Sequence, residues 1–275
     1  NDLSRTTYSG SDYVMFSDTL SMYPVQDSEK WFEIPVVATN ICDYDRSFGV
    51  EVDDKASNAI EKKQYVVESN TVTIKAGERV AKFRMKGVYE NIGKTDSLSV
   101  TFNLLAKDEN IWDLYGTRTR VQMQKACPFE LSTFEGYCLL TSSFFSAYMT
   151  NTEHRLLQAE RDKAEDNTII LHDFFYKNYD LKIKYDPSDP LKPFVELDEQ
   201  IIGSTAEAFG TIYGNGKLMC DQPVAYDSYY NVCQKFVILY TTIYVVGKGT
   251  VGTYVNILEW ISDEEAEQYK KEEGL

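Results

Sequence analysis

The sequence predicts an all-β protein made of two antiparallel domains, and three observations carry that expectation. Residues 97–104 alternate without a break: Leu98, Val100, Phe102 and Leu104 on one side, Ser97, Ser99, Thr101 and Asn103 on the other. A period of two is what a half-buried strand requires. Aromatic residues are abundant, with 20 Tyr and 14 Phe, and such side chains fit pleated surfaces. Short turn signals separate the apolar runs, among them Gly214-Asn215-Gly216 and Gly247-Lys248-Gly249; Asn-Gly supplies the positive φ that a tight hairpin demands.

Taken in order, residues 1–12 are polar and read as a tether. Strands are expected at 13–16, at 31–38 with Phe32, Ile34, Val36 and Ala38 on one face, and at 48–52. Residues 56–86 then supply an extended segment ending at Tyr65, a strand over Thr71–Ile74, a turn at Ala76-Gly77-Glu78 and a strand over 79–86. In that last strand Ala81, Phe83 and Met85 oppose Lys82, Arg84 and Lys86. After the strand at 97–104, a loop over 108–116 displays Trp112 and Tyr115, and 117–125 alternates again. Pro128 interrupts any strand near Ala126-Cys127-Pro128, so the domains are expected at 1–125, an immunoglobulin-type sandwich, and 126–275.

The second half begins with a strand over 137–149. Residues 155–161 are ambiguous: Leu, Gln, Ala and Glu favour helix, yet a meander needs a partner strand there, and strand is the expectation. Further strands are predicted at 168–175, 179–185 and 194–197, followed by hairpins 206–213/217–220 and 235–246/250–260. Together they describe an antiparallel meander, closed or curled into a lipocalin-like barrel or sandwich. Residues 262–275 read as a short helix, with Ser262 as cap, Glu265 completing a capping box, and a Glu267–Lys271 pair.

Two resemblances follow from particular residues. Ala59 and Tyr65 stand where Calx-β domains carry the Ala and Tyr of a GTAxxGxDY-like segment, and Thr71 to Glu78 resembles the strand and Ala-Gly-Glu turn that follow it. Lys62 replaces the Gly of that pattern and Gln64 its Asp. The opening DYVMFSDT, with FEGY at 134–137, DEQIIG at 198–203 and EWI at 259–261, is similar to two-domain surface lipoproteins of gut Bacteroidetes. That resemblance implies an exported, outer-membrane-anchored protein, often associated with glycan uptake, attached through a lipid at a removed N-terminal leader. It implies no catalytic mechanism and no cofactor.

Composition narrows the partners. With 43 Asp and Glu against 28 Lys and Arg, the net charge is -15, which repels nucleic-acid phosphates and anionic lipid. The longest apolar run, 236–246, is too short to span a bilayer as a helix. Five cysteines form no CxxC, and the two histidines, His154 and His172, do not make a zinc pattern. Asp43, Asp45, Asp53 and Asp54 are the candidates for calcium, weighed against ordinary turn chemistry. Cys220 and Cys233 flank one connection and are the candidate disulfide; Cys42 is expected to be buried.

No GxSxG, P-loop or nucleophile triad is present, and His172 reads as a sheet histidine. Glu196, Asp198, Glu199, Glu207 and Glu259 offer carboxylate pairs for a glycosidase, but so many acids make no particular pair diagnostic. The expected function is therefore a non-enzymatic surface binding or accessory protein with a glycan ligand. The alternative is a protein-interaction module that binds no sugar, and a hydrolase comes third. The candidate ligand residues are Tyr226, Asp227, Tyr229, Tyr230 and Asn231, a tyrosine-rich turn whose rings offer flat apolar faces and whose polar groups orient a ligand.

Overall fold

Alternating side chains and frequent turns give the described residues nineteen strands in two units. A computed structural model describes residues 10–112 and 116–275, and the units are Asn1–Cys127 and Pro128–Leu275. No described helix is long and apolar enough to cross a membrane.

The first unit holds β1 (Val14–Phe16), β2 (Leu20–Val25), β3 (Phe32–Ala38), β4 (Arg46–Val52), β5 (Tyr65–Val67), β6 (Thr71–Ile74), β7 (Val80–Gly87), β8 (Leu98–Leu105) and β9 (Arg118–Lys125). Two sheets, ordered β1-β3-β7-β5 and β2-β9-β8-β4-β6, enclose one core. Phe102 sits at its centre, with the Phe83 ring at 5.0 Å and the Tyr65 ring edge-on at 6.4 Å. Sequence reading missed β2, whose Pro24 argues against a strand. The strand survives because it lies at a sheet edge, pairing in parallel with β9 alone, where a missing N–H costs no ladder bond. Its Tyr23 hydroxyl accepts the Gly87 N–H at 2.9 Å, and a Cβ at Gly87 would meet Val25 at 2.6 Å. Glycine is thus required there for sheet contact.

Residues 1–9 of the expected tether lie outside the described residues, as does Tyr115. Asp12, at the end of that tether, is fixed: its Oδ2 accepts from the buried Arg46 guanidinium at 2.8 Å. Arg46 also donates to the carbonyls of Asn40 and Glu78, so the buried cation is both paired and hydrogen-bonded. Trp112 is half-buried, its ring stacked 6.0 Å from Tyr13.

The Calx-β-like segment shows how its two departures are accommodated. Lys62 takes φ 68°, the left-handed conformation that a glycine adopts freely. Gln64 replaces the carboxylate as an acceptor, with its Oε1 receiving the Ile60 N–H at 2.9 Å. Tyr65 is 1% exposed, and burial raises its pKa to about 12.

The second unit contains β10 (Gly136–Ser142), α1 (Ser143–Tyr148), β11 (Arg155–Arg161), β12 (Thr168–Leu171), β13 (Leu181–Asp186), β14 (Phe194–Glu196), β15 (Gln200–Ser204), α2 (Thr205–Phe209), β16 (Lys217–Asp221), β17 (Ser228–Asn231), β18 (Phe236–Val245), β19 (Gly249–Trp260) and α3 (Asp263–Glu273). All its strand pairs are antiparallel. The order β18-β17-β14-β13-β12-β11-β10-β19 closes on itself through β18–β19, and the β15–β16 hairpin docks on the remaining length of β18. The result is a meander barrel with one inserted hairpin, the all-β class expected from the sequence.

Four local expectations are corrected. The strand expected over 137–149 stops at Ser142, whose Oγ accepts the Phe144 N–H at 3.1 Å and caps α1. Residues 206–213 are not a strand, because Ser204 caps α2 and Gly210 ends it at φ 76°. The strand over 168–175 ends at Leu171, leaving His172 in the following turn. In α3 the capping box forms, but Lys270, not Lys271, pairs with Glu267, and Lys270 also lies 4.6 Å over the Tyr137 ring. The ambiguous 155–161 segment is strand β11.

The barrel interior is filled. At one end a 3-10 turn, Leu131–Phe134, inserts Phe134 between Tyr185, stacked at 4.5 Å, and Trp260, edge-on at 5.0 Å. At the other end Phe144 of α1 stacks on Phe175 at 4.5 Å. Beside that helix, the buried Asn256 accepts from Ser142 Oγ at 2.6 Å and donates to Leu239 O and Thr241 Oγ1 at 2.9 and 3.0 Å.

Replacing Lys62 by Gly should raise the urea midpoint of the first unit, by the equivalent of about 0.5–1 kcal/mol, because the left-handed penalty outweighs glycine's extra chain entropy. A lowered midpoint would mean that the lysine side chain contributes more than its backbone costs.

Candidate functional site

With its interior packed, the barrel offers a ligand its outer face. β18 alternates strictly, sending Val237, Leu239, Ile243 and Val245 inward and Phe236, Ile238, Tyr240 and Tyr244 outward. Register then assembles one outward row across five strands: Asp186, Phe194, Tyr229, Ile238 and Ile257. Beside it the Tyr226 ring, 53% exposed, stacks on Tyr240 at 5.0 Å with an interplanar angle of 23°. Tyr229 is 40% exposed and meets Phe236 edge-on at 6.4 Å. One face of Tyr226 is therefore supported from beneath, and the ring is held flat against the sheet.

The predicted ligand residues divide. Tyr226, Asp227 and Tyr229 are exposed. Tyr230 is 7% exposed and faces the barrel core, where its hydroxyl donates to Asp186 O at 3.3 Å and burial raises its pKa to about 12. Residues 228–231 are strand and not the expected turn, so neighbouring tyrosines emerge on opposite faces. Asn231 has a local task, accepting the Gln234 N–H at 2.9 Å in the β17–β18 turn. What sequence reading missed is Tyr240 and Phe194; the alternation of β18 pointed to the first, while β14 is too short to show a pattern.

Next to this platform lies a cleft of about 370 Å³, lined by Glu165, Lys182, Lys184, Glu196, Asp198 and Glu199 among others. Gln200 shapes its floor: its side chain accepts from Lys182 N–H at 2.9 Å and donates to Lys182 O at 2.8 Å, imitating a strand partner. Lys182 is engaged with Asp162 at 2.9 Å; hydrogen bonding between them lowers the carboxyl pKa and raises that of the amine. The Tyr244 hydroxyl donates to Glu199, a bond that lifts its pKa to about 12. Asp221 nearby is raised, first by burial and then by the charge of Glu199. Three of the five carboxylates considered for hydrolysis meet at this cleft; Glu207 on α2 and Glu259 on β19 do not line it.

The calcium candidates do not converge. Asp45 accepts the Ala76 N–H at 2.8 Å; Asp53 caps a 3-10 turn and pairs with Arg118 at 2.8 Å; Asp43 and Asp54 are exposed. Among the described residues there is no group of three or more side chains able to hold a metal ion. The expected Cys220–Cys233 disulfide is also corrected. Cys220 is a free, fully buried thiol on β16, pointing into the core, whereas Cys233 is disulfide-bonded, as is Cys127. Cys42 is free and half-buried instead of buried.

His172 lies between Glu160 at Nε2 and Asp180 at Nδ1, both at 3.1 Å. Burial opposes its charge, but hydrogen bonds and attraction from Asp180 and Glu160 outweigh it and raise the pKa above 6.5. His154 bonds Thr141 through Nδ1 at 2.9 Å.

These features define an all-β protein with a side-chain-filled barrel and an aromatic outer face. A family model for a domain of unknown function, DUF4984, matches residues 114–272, more than half of the chain, and the chain belongs to that family. No match is found among curated proteins. Among solved structures, the apo form of the Calx CBD1 domain is similar over 43% of this chain and all of that one, at 15% identity and TM-score 0.34. A protein of unknown function from Bacteroides ovatus matches 89% of this chain and 90% of its own, at 9% identity and TM-score 0.37. An auxiliary nutrient binding protein from Bacteroides thetaiotaomicron matches 89% and 91%, at 10% identity and TM-score 0.33.

Tyr230→Ala should cost about 3–5 kcal/mol in denaturant unfolding, as for other buried aromatics, whereas Tyr226→Ala should cost less than about 1 kcal/mol. Equal losses would place Tyr226 in the core. For His172, the raised folded pKa makes its stabilisation complete below about pH 6.5 and lost as pH rises through the folded value. Wild type should therefore exceed His172→Gln in stability at about pH 6 and converge on it near about pH 8; a constant gap would contradict the ion-pair account.

Proposed function

We propose that this protein is a non-enzymatic, cell-surface binding module that holds a glycan against the outer face of its barrel. The observation that carries the reading is the Tyr226 ring, supported on Tyr240 and exposed, with Tyr229 and Phe194 beside it on the same face. Flat, immobilised tyrosines stack on sugar C–H groups and add a hydroxyl for hydrogen bonding. Asp227 and Asp186, adjacent to these rings, supply acceptors for sugar hydroxyls.

Export and lipid anchoring belong to the same proposal. Disulfide-bonded Cys127 and Cys233 suit an oxidising compartment, and the net charge of -15 suits a soluble surface domain.

A glycan array followed by calorimetry on the best ligand tests the reading. Tyr226→Ala and Tyr229→Ala should each weaken binding about tenfold, the loss of one stacking contact of about 1.5 kcal/mol, with the melting temperature nearly unchanged. Protease shaving of intact cells should remove the protein. A silent array, or affinity indifferent to both substitutions, would overturn glycan binding and favour a protein partner; resistance to shaving would overturn surface display.

A further inference from the structure

Two hydrogen-bond donors in the barrel core have no acceptor. Tyr185 is 1% exposed and Trp260 7%, and neither the Tyr185 hydroxyl nor the Trp260 indole N–H meets a partner. Burial raises the Tyr185 pKa well above that of an ordinary tyrosine, so the hydroxyl keeps its proton. A buried donor without a partner is costly, and each one in a native core calls for a reason. Both residues here lie against the same ring. Phe134 stacks on Tyr185 at 4.5 Å and meets Trp260 edge-on at 5.0 Å, while Phe129 lies 5.9 Å from Tyr185 and 5.5 Å from Tyr230. The two phenyl rings fill this end of the barrel and offer the donors no oxygen or nitrogen.

The segment that delivers these rings, residues 128–135, is held differently from the strands around it. Its backbone hydrogen bonds stay inside the turn: Glu130 O accepts from the Thr133 N–H at 3.0 Å, and Ser132 O from the Glu135 N–H at 3.2 Å. Among the described residues no backbone bond joins it to a strand, and its polar side-chain tie is the exposed Glu135–Arg161 pair at 2.9 Å. Pro128 restricts the chain at one end. At the other, Gly136 takes φ 92° where an added Cβ would meet no atom within 4 Å, so glycine serves conformation there and not space. A turn anchored by Phe129, Leu131 and Phe134 alone, without ladder bonds, opens while the barrel stays paired.

We propose that residues 128–135 form a displaceable plug, and that the place of Phe129 and Phe134 is a binding site for an uncharged, flat apolar molecule of about two fused rings carrying a carbonyl group. Such a ligand restores the ring contacts that the plug gives up and adds hydrogen bonds from Tyr185 and Trp260 that a phenyl ring does not make, so it favours the open state. The site is separate from the outer aromatic face and does not depend on the glycan reading. Equilibrium dialysis of the whole chain would compare 2-acetylnaphthalene with 2-ethylnaphthalene, the same skeleton without the oxygen. The ketone should bind at least about tenfold more tightly. Tyr185→Phe, which removes the hydroxyl alone, and Trp260→Phe should each reduce that ratio at least about threefold. Hydrogen exchange at residues 129–135 should speed up when the ketone is added, and Arg161→Ala, which frees Glu135, should tighten ketone binding about threefold. Equal affinity for the two probes, or a ratio unmoved by Tyr185→Phe, would overturn the role of the donors. Binding with unchanged exchange at 129–135 would overturn the plug. If neither wild type nor Arg161→Ala binds the ketone, the site itself falls.

Discussion

Everything in the second unit depends on the pairing of β18 with β19. Ten register positions, from Phe236 opposite Glu259 to Val245 opposite Gly249, join the two longest strands and close the barrel. Closure removes the two sheet edges that an open meander would expose. It also fixes Asn256, which satisfies its amide against Ser142, Leu239 and Thr241 and so ties β10, β18 and β19 at one buried level. A satisfied buried amide of this kind specifies register, since a one-residue slip would turn it outward and bring an apolar side chain to the surface.

The same closure decides where chemistry can occur. Phe134 enters one end of the barrel and Phe144 the other, and the inward side chains of β18 and β13 complete the packing. A barrel filled in this way has a core where other barrels hold a ligand. The aromatic residues left outside, Phe194, Tyr226, Tyr229 and Tyr240, are held by strand geometry and by ring-on-ring contact, so their orientation is set before any ligand arrives. The polar cleft beside them has a different origin. It forms where β14 ends and the chain leaves the sheet toward the β15–β16 hairpin, with Gln200 bridging to Lys182.

In the first unit the comparable constraint is the core around Phe102, with Tyr65 and Phe83 against it. The turn that delivers Tyr65 tolerates a lysine in the left-handed region, because Gln64 still caps Ile60. Backbone bonds from Lys62 N–H to Tyr65 O and from Gln64 N–H to Ile60 O complete the turn.

The sequence by itself determined the all-β class, the alternating strands read at 97–104, 117–125, 179–185 and 235–246, and the capped C-terminal helix, because period and capping are local properties written in adjacent residues. Helices α1 and α2 were hidden: single turns are too short for a helical period, and their Ser caps resemble turn residues. Tyr226 and Tyr229 were legible as candidate surface rings, whereas Tyr230 was misread, since one residue of strand register decides which face a side chain meets. Tyr240 as the support of Tyr226, Phe194 as its neighbour, the free Cys220 and the charged cleft all join residues distant in sequence. Only the tertiary structure decided those, because strand order and barrel closure, not local pattern, bring β13, β14, β17 and β18 onto one face.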